Sequence, residues 1–498
     1  MNEERERAAA PDSNPAELPR GRRKLVLAIC CMSLLIVGLD NTIVNVALPS
    51  IGRELHTSVS GLQWTVDSYT LVLASLLMLS GSMADRFGRR RVFEIGLVLF
   101  TLGSLLCSVA PSQGWLIAFR MLQAVGGSML NPVAMSIIRN VFTDARERAQ
   151  AIGLWGATIG ISLALGPVVG GALVQSVGWR SIFWINIPVG LVALALTMRF
   201  VPESRAPHPR GLDPVGQVLV IVLLGSLTYA IIEAPSAGWS SDQSIALFAL
   251  AAAALAALVA YESRRLEPLL ELRFFRSIPF SSASVIAICT FAALGGFLFL
   301  NTLYLQEVRG LSALTAGLYT LPIAAMTLLF APLSGRLVGR YGPRISLLVG
   351  GLGLMVGGLL MTGIGARTPL ASLLPAYFIF GIGFGMVNPP ITNTAVLGMP
   401  PAQAGVAAAV ASTSRQVGQT LGVAVVGAIA AGGAISVGPG FVAASHTCWW
   451  IITGCGMAAL LLGLISTTVK ANASARRVAD ELGGGDVGEV SDVEPVGA

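Results

Sequence analysis

The chain has 498 residues, 54% hydrophobic and only 12% charged, with a net charge of +6 and a mean hydropathy of +0.75. Soluble domains carry about 25% charged residues, so this composition excludes a soluble protein and points to an all-α polytopic membrane protein. The basic excess does not argue for nucleic acid, because cytoplasmic membrane loops are rich in arginine and lysine.

Residues 1–24 are polar and of mixed charge, and a full spanning run follows them, so no cleavable signal is expected. A span needs about 20 apolar residues. Fourteen runs qualify: 25–47, 62–80, 93–110, 115–137, 151–174, 181–201, 213–233, 244–262, 279–304, 313–334, 345–365, 370–397, 404–433 and 446–469. The tails, 1–24 and 470–498, read as disordered.

Ionisable groups inside a bilayer cost about 2.5–3.5 kcal/mol each on insertion scales, so each is a functional candidate. In the first run Asp40 lies about 22 Å from the start at 1.5 Å per residue, with Asn41, Thr42 and Asn45 beside it. Asp67 in the second run and Arg120 in the fourth are placed at similar depth. A carboxylate facing an arginine can couple its protonation to the wetness of its surroundings. Asp40, Asp67 and Arg120 are therefore the proton-coupling candidates, set against a static ion pair between helices 1, 2 and 4. Asn41, Asn45, Gln123, Asn388 and Arg415 are candidates to line a central cavity. Arg415 has no local acid partner in its half, since no Asp or Glu occurs between Glu307 and Asp480. It can pair across the halves, bind helix-end carbonyls, contact an anionic substrate or serve packing. Glu233 and Glu307 read as solvated helix ends.

Charge placement orients the chain. If the N-terminus is cytoplasmic, only Arg53, Arg180, Arg309 and Arg367 fall in external loops, and Arg120 and Arg415 inside helices; the other lysines and arginines are cytoplasmic, as the positive-inside rule requires. Both termini are then cytoplasmic. Trp64, Trp115, Trp179, Trp184, Trp239, Trp449 and Trp450 fall near external ends, as an interfacial belt does.

An internal repeat divides the chain. "SGSMADRFGRRRV" at 80–92 matches "SGRLVGRYGPRIS" at 334–346. Each copy joins the second and third helices of a six-helix block. The expected organisation is a tail (1–24), an N-terminal half (25–201), an inserted helix pair with flanking loops (202–278), a C-terminal half (279–469) and a second tail (470–498). Two related halves around a midplane site are the architecture of a secondary transporter.

The first copy, with Gly81, Asp85, Arg86, Gly88, Arg89 and Arg90, resembles the signature loop of the major facilitator superfamily. "LDNTIVNVALPSI" (39–51), "RMLQAVGG" (120–127), "GPVVGG" (166–171), "WRSIFWINIPVG" (179–190), "YLQEVRGLSALTAGLYTLP" (304–322) and "SRQVGQTLGVAVVGA" (414–428) resemble its fourteen-helix drug:H⁺ antiporter branch. The chain departs from the pattern with Gly339 in place of a second Asp85, with Ala124, and with Ser162. The resemblance implies a major facilitator fold and export of drugs or antibiotics, with Asp85 as a breakable cytoplasmic latch. It also implies that the helix 5 motif (Gly153, Gly166, Pro167, Gly170, Gly171) is typical of exporters. From the residues, Gly156 and Gly160 add a close-packing spacing and Pro167 bends its helix.

The leading expectation is proton-coupled export of hydrophobic small molecules, cations included, by alternating access; the alternative is proton-coupled uptake of a metabolite on the same fold. Only Lys24 and Lys470 are lysines, and neither sits in a glycine loop, so no ATPase is expected. His56, His208 and His446 are scattered, and the six cysteines show no paired spacing. No metal, no cofactor and no enzymatic activity are expected. The partners are substrate, protons and the lipid bilayer, with no nucleic acid, and the functional unit is a monomer. The excess of arginine over lysine suggests a high-GC bacterium and its cytoplasmic membrane.

Overall fold

The computed structural model describes residues 18–206, 211–265, 267–400, 403–433 and 439–483, and every regular element among them is helical. The first half comprises α1 (Arg20–Leu55), α2 (Val59–Phe87), α3 (Arg89–Ser108), α4 (Gln113–Val141), α5 (Ala145–Ser176) and α6 (Ser181–Phe200, with one break at Ile185). An inserted pair follows, α7 (Pro214–Ala237) and α8 (Asp242–Glu262). The second half comprises α9 (Ile278–Val308, ending in a π-helical turn), α10 (Ala313–Tyr341), α11 (Arg344–Met361), α12 (Leu370–Val396), α13 (Ala404–Gly433) and α14 (Pro439–Ser466). A last helix, α15, covers Val469–Glu481.

Thirteen of these helices are long and apolar enough to cross a membrane. The fourteenth expected span is α13, 30 residues long. Ser412, Ser414, Arg415, Gln416 and Gln419 dilute its hydropathy, and tertiary packing makes up the difference.

The turns follow from local chemistry. Ser58, Asp144, Asp213, Ser241 and Ser312 each accept a backbone N–H at the start of α2, α5, α7, α8 and α10, replacing one of the donors that a helix start leaves unpaired. Gly88 turns α2 sharply into α3 at φ +112°, a conformation that glycine adopts without steric cost.

The sequence repeat reappears as packing. In the first half α1 packs on α5, α2 on α4, and α3 on both α4 and α6; in the second, α9 packs on α13, α10 on α12, and α11 on both α12 and α14. Equivalent crossings use equivalent glycines. A Cβ on Gly126 would lie 2.3 Å from the Phe100 nitrogen, and one on Gly383 would lie 2.5 Å from the Leu354 nitrogen. Helices associate in lipid through such close backbone approach, because hydrocarbon supplies no hydrophobic drive between them.

The halves meet through two seams related by the same pseudo-symmetry, α5 with α10 and α2 with α13. The polar bonds across them lie toward the face opposite the N-terminus. Gln63 Nε2 donates to the Val423 and Ala424 carbonyls at 3.4 and 2.9 Å. Gln306 Nε2 donates to the Val46 carbonyl at 2.9 Å, and the Thr420 hydroxyl to Thr70 at 2.9 Å. Among the described residues no hydrogen bond or ion pair joins the halves at the N-terminal face. There a cavity of about 650 Å³ opens between α1 and α5, with Arg20, Arg23, Lys24 and Glu147 at its rim and Leu35, Leu154 and Ile161 deeper. The polar contacts that hold the halves together are thus absent from the N-terminal face among the described residues.

Of the inserted pair, α7 covers the α2–α13 seam, and α8 packs on α7. Gln217 Nε2 donates to the Ser75 carbonyl at 2.6 Å, and Trp64 Nε1 donates to Glu233 at 2.9 Å while stacking 5.6 Å from Tyr229. Glu233 is thus a bonded group rather than the solvated end expected, whereas Glu307 is exposed.

Two boundaries differ from expectation. Helix α1 starts at Arg20, inside the tail expected to be disordered. Its 36 residues make about 54 Å, against a hydrocarbon core of about 30 Å, so its first turns stand beyond the bilayer. The second tail is ordered through α15, whose Ala471, Ala475, Val478 and Ala479 are buried. There Ser474 Oγ accepts the Ile278 N–H at 2.9 Å and caps α9, and Arg276 pairs with Glu481 at 3.1 Å. This small amphipathic helix docks on the second half instead of hanging free. Residues 1–17 and 484–498 lie outside the described residues.

A side chain at the α3–α4 crossing forces the helices apart. Gly126→Val is expected to lower the thermal midpoint of the detergent-solubilised protein, since overpacking costs about 1–3 kcal/mol. Gly225→Val, where a Cβ meets nothing within 4 Å, is expected to leave that midpoint in place.

Candidate functional site

Successive helical residues project about 100° apart, so three neighbours on α1 address three different surroundings. Asp40 faces α4 and α6, Asn41 faces the second half, and Thr42 faces α5.

Asp40 is 0% and Arg120 1% exposed. The Asp40 Oδ2 accepts a hydrogen bond from Arg120 Nη1. Its Oδ1 accepts from Gln123 Nε2 at 2.8 Å and from Asn186 Nδ2 at 3.0 Å. The guanidinium is fixed in turn. Its Nε donates to the Thr65 carbonyl at 3.2 Å and its Nη1 to Gln123 Oε1 at 3.0 Å, and its carbon stands 4.2 Å from the centre of the Tyr69 ring. Asn186 also donates to Ser104 Oγ at 3.1 Å. One ion pair therefore ties α1, α2, α4 and α6 together. Breaking a buried pair by removing one partner costs about 3–5 kcal/mol, because the remaining charge stays in a dry site.

Asp67 stands apart from this pair. Residues 63, 67 and 70 share one face of α2, and the outer two bond to α13. Asp67 lies between them, 0% exposed, and neither carboxyl oxygen has a hydrogen-bond partner. The structure thus brings Asp40 and Arg120 together and places Asp67 in the seam between the halves.

The cavity candidates separate. Asn41 and Gln419 exchange two hydrogen bonds of 3.1 Å across the halves, with Asn45 donating to the Asn41 carbonyl at 3.2 Å. Gln123 is 0% exposed and belongs to the Asp40 pocket, so it lines no cavity here. Asn388 and Arg415 are half-buried in the second half. Arg415 Nη2 donates to Thr392 Oγ1 at 2.5 Å and Nη1 to Ser412 Oγ at 3.4 Å.

In the helix 5 motif, a Cβ on Gly166 or Gly170 would strike Thr42 or Ile43, and one on Gly171 would lie 2.6 Å from the Ala313 carbonyl oxygen. The Pro167 carbonyl sits in the space left by Gly317 of α10. This motif therefore makes both the α1–α5 contact and the α5–α10 seam. Gly153 and Gly156 face open space and Gly160 meets Leu328. Ser162, where the pattern has glycine, is accommodated because Gly38 faces it on α1.

At the α2–α3 turn, Asp85 Oδ1 accepts from Arg89 Nε and Nη2 at 3.1 and 2.9 Å, an i,i+4 pair inside the loop. The N-terminus of α3 is met by Glu203, which accepts the Arg90 and Arg91 N–H groups at 3.1 and 3.3 Å; an anion is favoured there by the helix dipole. Arg90 pairs with Glu94 at 2.7 Å and Arg86 is exposed. Gly81 faces open space in this conformation. Among the described residues no group of three His, Cys, Asp or Glu could hold a metal ion.

Sequence reasoning did not single out Asn186, Ser104, Thr65, Tyr69, Gln63 or Glu203. Asn186 had one signal: a polar residue inside an apolar run. Glu203 had another: an acid one loop away from an arginine cluster.

Comparison with known proteins fits this geometry. Residues 30–423 match the Major Facilitator Superfamily model. The chain is 40% identical over 408 residues to the multidrug resistance protein Stp of Mycobacterium tuberculosis, covering 82% of this chain and 76% of that one. It is 36% identical over 419 residues to the tetracenomycin C resistance and export protein of Streptomyces glaucescens, covering 84% and 78%. It is 35% identical over 408 residues to the multidrug efflux pump LfrA of Mycolicibacterium smegmatis, covering 82% and 81%. The crystal structure of a bacterial homolog to the human lysosomal transporter Spinster, inward-facing and unoccupied, superposes with a TM-score of 0.60 at 18% identity over 93% of this chain and 98% of that one. A bacterial homologue of the human drug peptide transporters PepT1 and PepT2 gives 0.63 at 12% identity over 92% and 99%; these two likenesses bear on the fold alone. With two pseudo-symmetric six-helix halves and a family match across most of its length, the chain belongs to the major facilitator superfamily, as a multi-pass membrane transporter.

Proposed function

We propose that the protein exports hydrophobic small molecules from the cell in exchange for protons, by alternating access of its two halves, with the N-terminal face and both termini in the cytoplasm. The observation that carries this reading is the Asp40–Arg120 pair, a buried carboxylate whose donors all come from the first half. Stp and the tetracenomycin C protein, named for resistance and export, support the direction. The clustering of basic residues at the N-terminal face supports the orientation. Because both halves and the whole Asp40 pocket come from one chain, a monomer suffices.

Proton coupling follows from charge compensation. Protonating Asp40 removes the counter-charge of Arg120 and leaves a guanidinium held by Thr65, Gln123 and the Tyr69 ring. That state favours a different arrangement of α1 against α4 and α6. Proton occupancy and helix position are then linked, each biasing the other.

Asp67 adds a rule for the far face. Ionised in the closed α2–α13 seam, it would place an uncompensated charge in a dry site, at about 2.5–3.5 kcal/mol on insertion scales. Opening that face to water removes the cost. The seam therefore closes with Asp67 neutral, and each closure carries a proton inward. Asp85 and its arginines serve as the cytoplasmic latch, with Gly81 at the surface that the second half approaches when the N-terminal face closes.

Three measurements test this reading. In everted vesicles made acid inside, the wild type is expected to accumulate members of a panel of neutral, anionic and cationic hydrophobic dyes. Asp40→Asn is expected to abolish accumulation, and the double variant Asp40→Asn/Arg120→Gln to regain protein yield but not accumulation; gradient-driven uptake by the single variant would remove Asp40 from the mechanism. With cysteines at positions 63 and 424 in a cysteine-free background, cross-linking across the far seam is expected to fall as pH rises. Asp67→Asn should make that yield insensitive to pH. A membrane-impermeant thiol reagent should label Phe87→Cys only in broken cells; labelling in intact cells would invert the topology.

A further inference from the structure

The two halves carry unlike charge. In the first, Arg120 is matched by Asp40. In the second, the sequence between Glu307 and Asp480 holds no Asp or Glu, so Arg415 is a cation in a half whose one carboxylate, Glu307, is exposed at the far end of α9. It lies 11 residues into α13, about 16 Å from the N-terminal end of that helix.

Its surroundings differ from those of the other placed arginines. Arg309 reaches the Thr368 carbonyl and the Tyr304 hydroxyl, and Arg180 reaches Glu54. The guanidinium of Arg415 has two hydroxyls, Thr392 at 2.5 Å and Ser412 at 3.4 Å. Its Nε is buried with no acceptor. The guanidinium carbon is 6.0 Å from the Phe291 ring centre, and Phe291 stacks edge-on with Phe384 at 5.3 Å. Asn388 shares the Thr392 face of α12, one turn earlier. A guanidinium has five N–H donors in a planar fork that fits a carboxylate or another oxyanion on two prongs. Here the fork has donors to spare, an aromatic wall and no resident anion.

We infer that Arg415, with Thr392 and Phe291, is a recognition subsite for an acidic group on the transported molecule, so that the preferred substrates are aromatic hydrophobic anions rather than cations. The assignment rests on the export reading for what the ligand is, while the site itself rests on charge. A cationic ligand finds no complement nearby: Asp40 is already paired and Asp67 is sealed in the far seam.

The test is equilibrium binding to the purified full chain in nanodiscs, with two fluorescent aromatic probes of opposite charge, fluorescein and ethidium. The wild type is expected to bind fluorescein saturably and more tightly than ethidium. Arg415→Gln should raise the fluorescein Kd at least tenfold, Arg415→Lys less, and Thr392→Val about threefold, with ethidium binding unmoved in all three. Circular dichroism and melting midpoints establish that each variant is folded; Thr392→Val, which keeps the charge, serves should Arg415→Gln fail that check. An unchanged fluorescein Kd in folded Arg415→Gln, no fluorescein binding by the wild type, or tighter binding of ethidium overturns the assignment. A wild type that binds fluorescein in this way but drives no dye against a gradient overturns the export reading and leaves the subsite standing.

Discussion

A charge inside hydrocarbon persists only where another charge or a set of donors meets it, and the rest of this structure is arranged around how that requirement is met for Asp40. One carboxylate collects an arginine from α4, a glutamine one turn further along α4 and an asparagine from α6. Arg120 in turn holds the α2 backbone at Thr65. The first half is therefore organised from its centre outward. Neutralising the acid changes what holds four helices together, which is the property a proton-driven conformational change needs.

Around that centre, packing rests on small residues rather than on polarity. Glycines bring α3 onto α4 and α11 onto α12, and the Gly166–Gly171 segment brings α5 onto both α1 and α10. These contacts are made of backbone and van der Waals surface, with no hydrophobic drive from lipid. Surfaces of that kind slide or separate at modest cost. The few polar bonds across the halves run from mid-membrane, at Asn41–Gln419 and Thr70–Thr420, to the far face, so they favour one closed end without locking the whole interface. Helix α7 covers the α2–α13 seam laterally, where Asp67, Thr70 and Gln63 are buried.

Much of this was legible in the sequence, for physical reasons. Apolar run length fixes where helices cross a bilayer, so all fourteen expected runs are helical. Scarcity of charge pointed to Asp40 and Arg120, because buried ionic groups are few and must meet. What was not legible depends on which helix faces which. Asn186 bonds Asp40 because α6 leans on α1, and Gln63 seals the seam because α2 meets α13. Neither contact follows from spacing along one strand of chain. Glu203 meets the α3 terminus because the segment after α6 returns beneath the α2–α3 turn. Helix α15 was hidden by its polarity: its apolar stripe is alanine and valine, too small to stand out without the surface it covers.

The unlike charge of the halves bears on how the proposed exchange is coupled. The first half holds a titratable pair that is neutral overall, so adding a proton creates net positive charge there. The second half holds Arg415, positive already and without a carboxylate beside it. When the halves approach at the N-terminal face, the proton-loaded form of the first half meets a cationic partner across the cavity. Charge alone would make an anionic substrate favour that proton, so the proposed exchange requires that proton and substrate compete through helix position, and Asn41 and Gln419 join α1 to α13. Coupling of this kind is reciprocal: whatever makes substrate favour one proton occupancy makes that occupancy favour substrate. If the subsite reading holds, a single arginine without a carboxylate beside it bears on both what is carried and when the carrier closes on it.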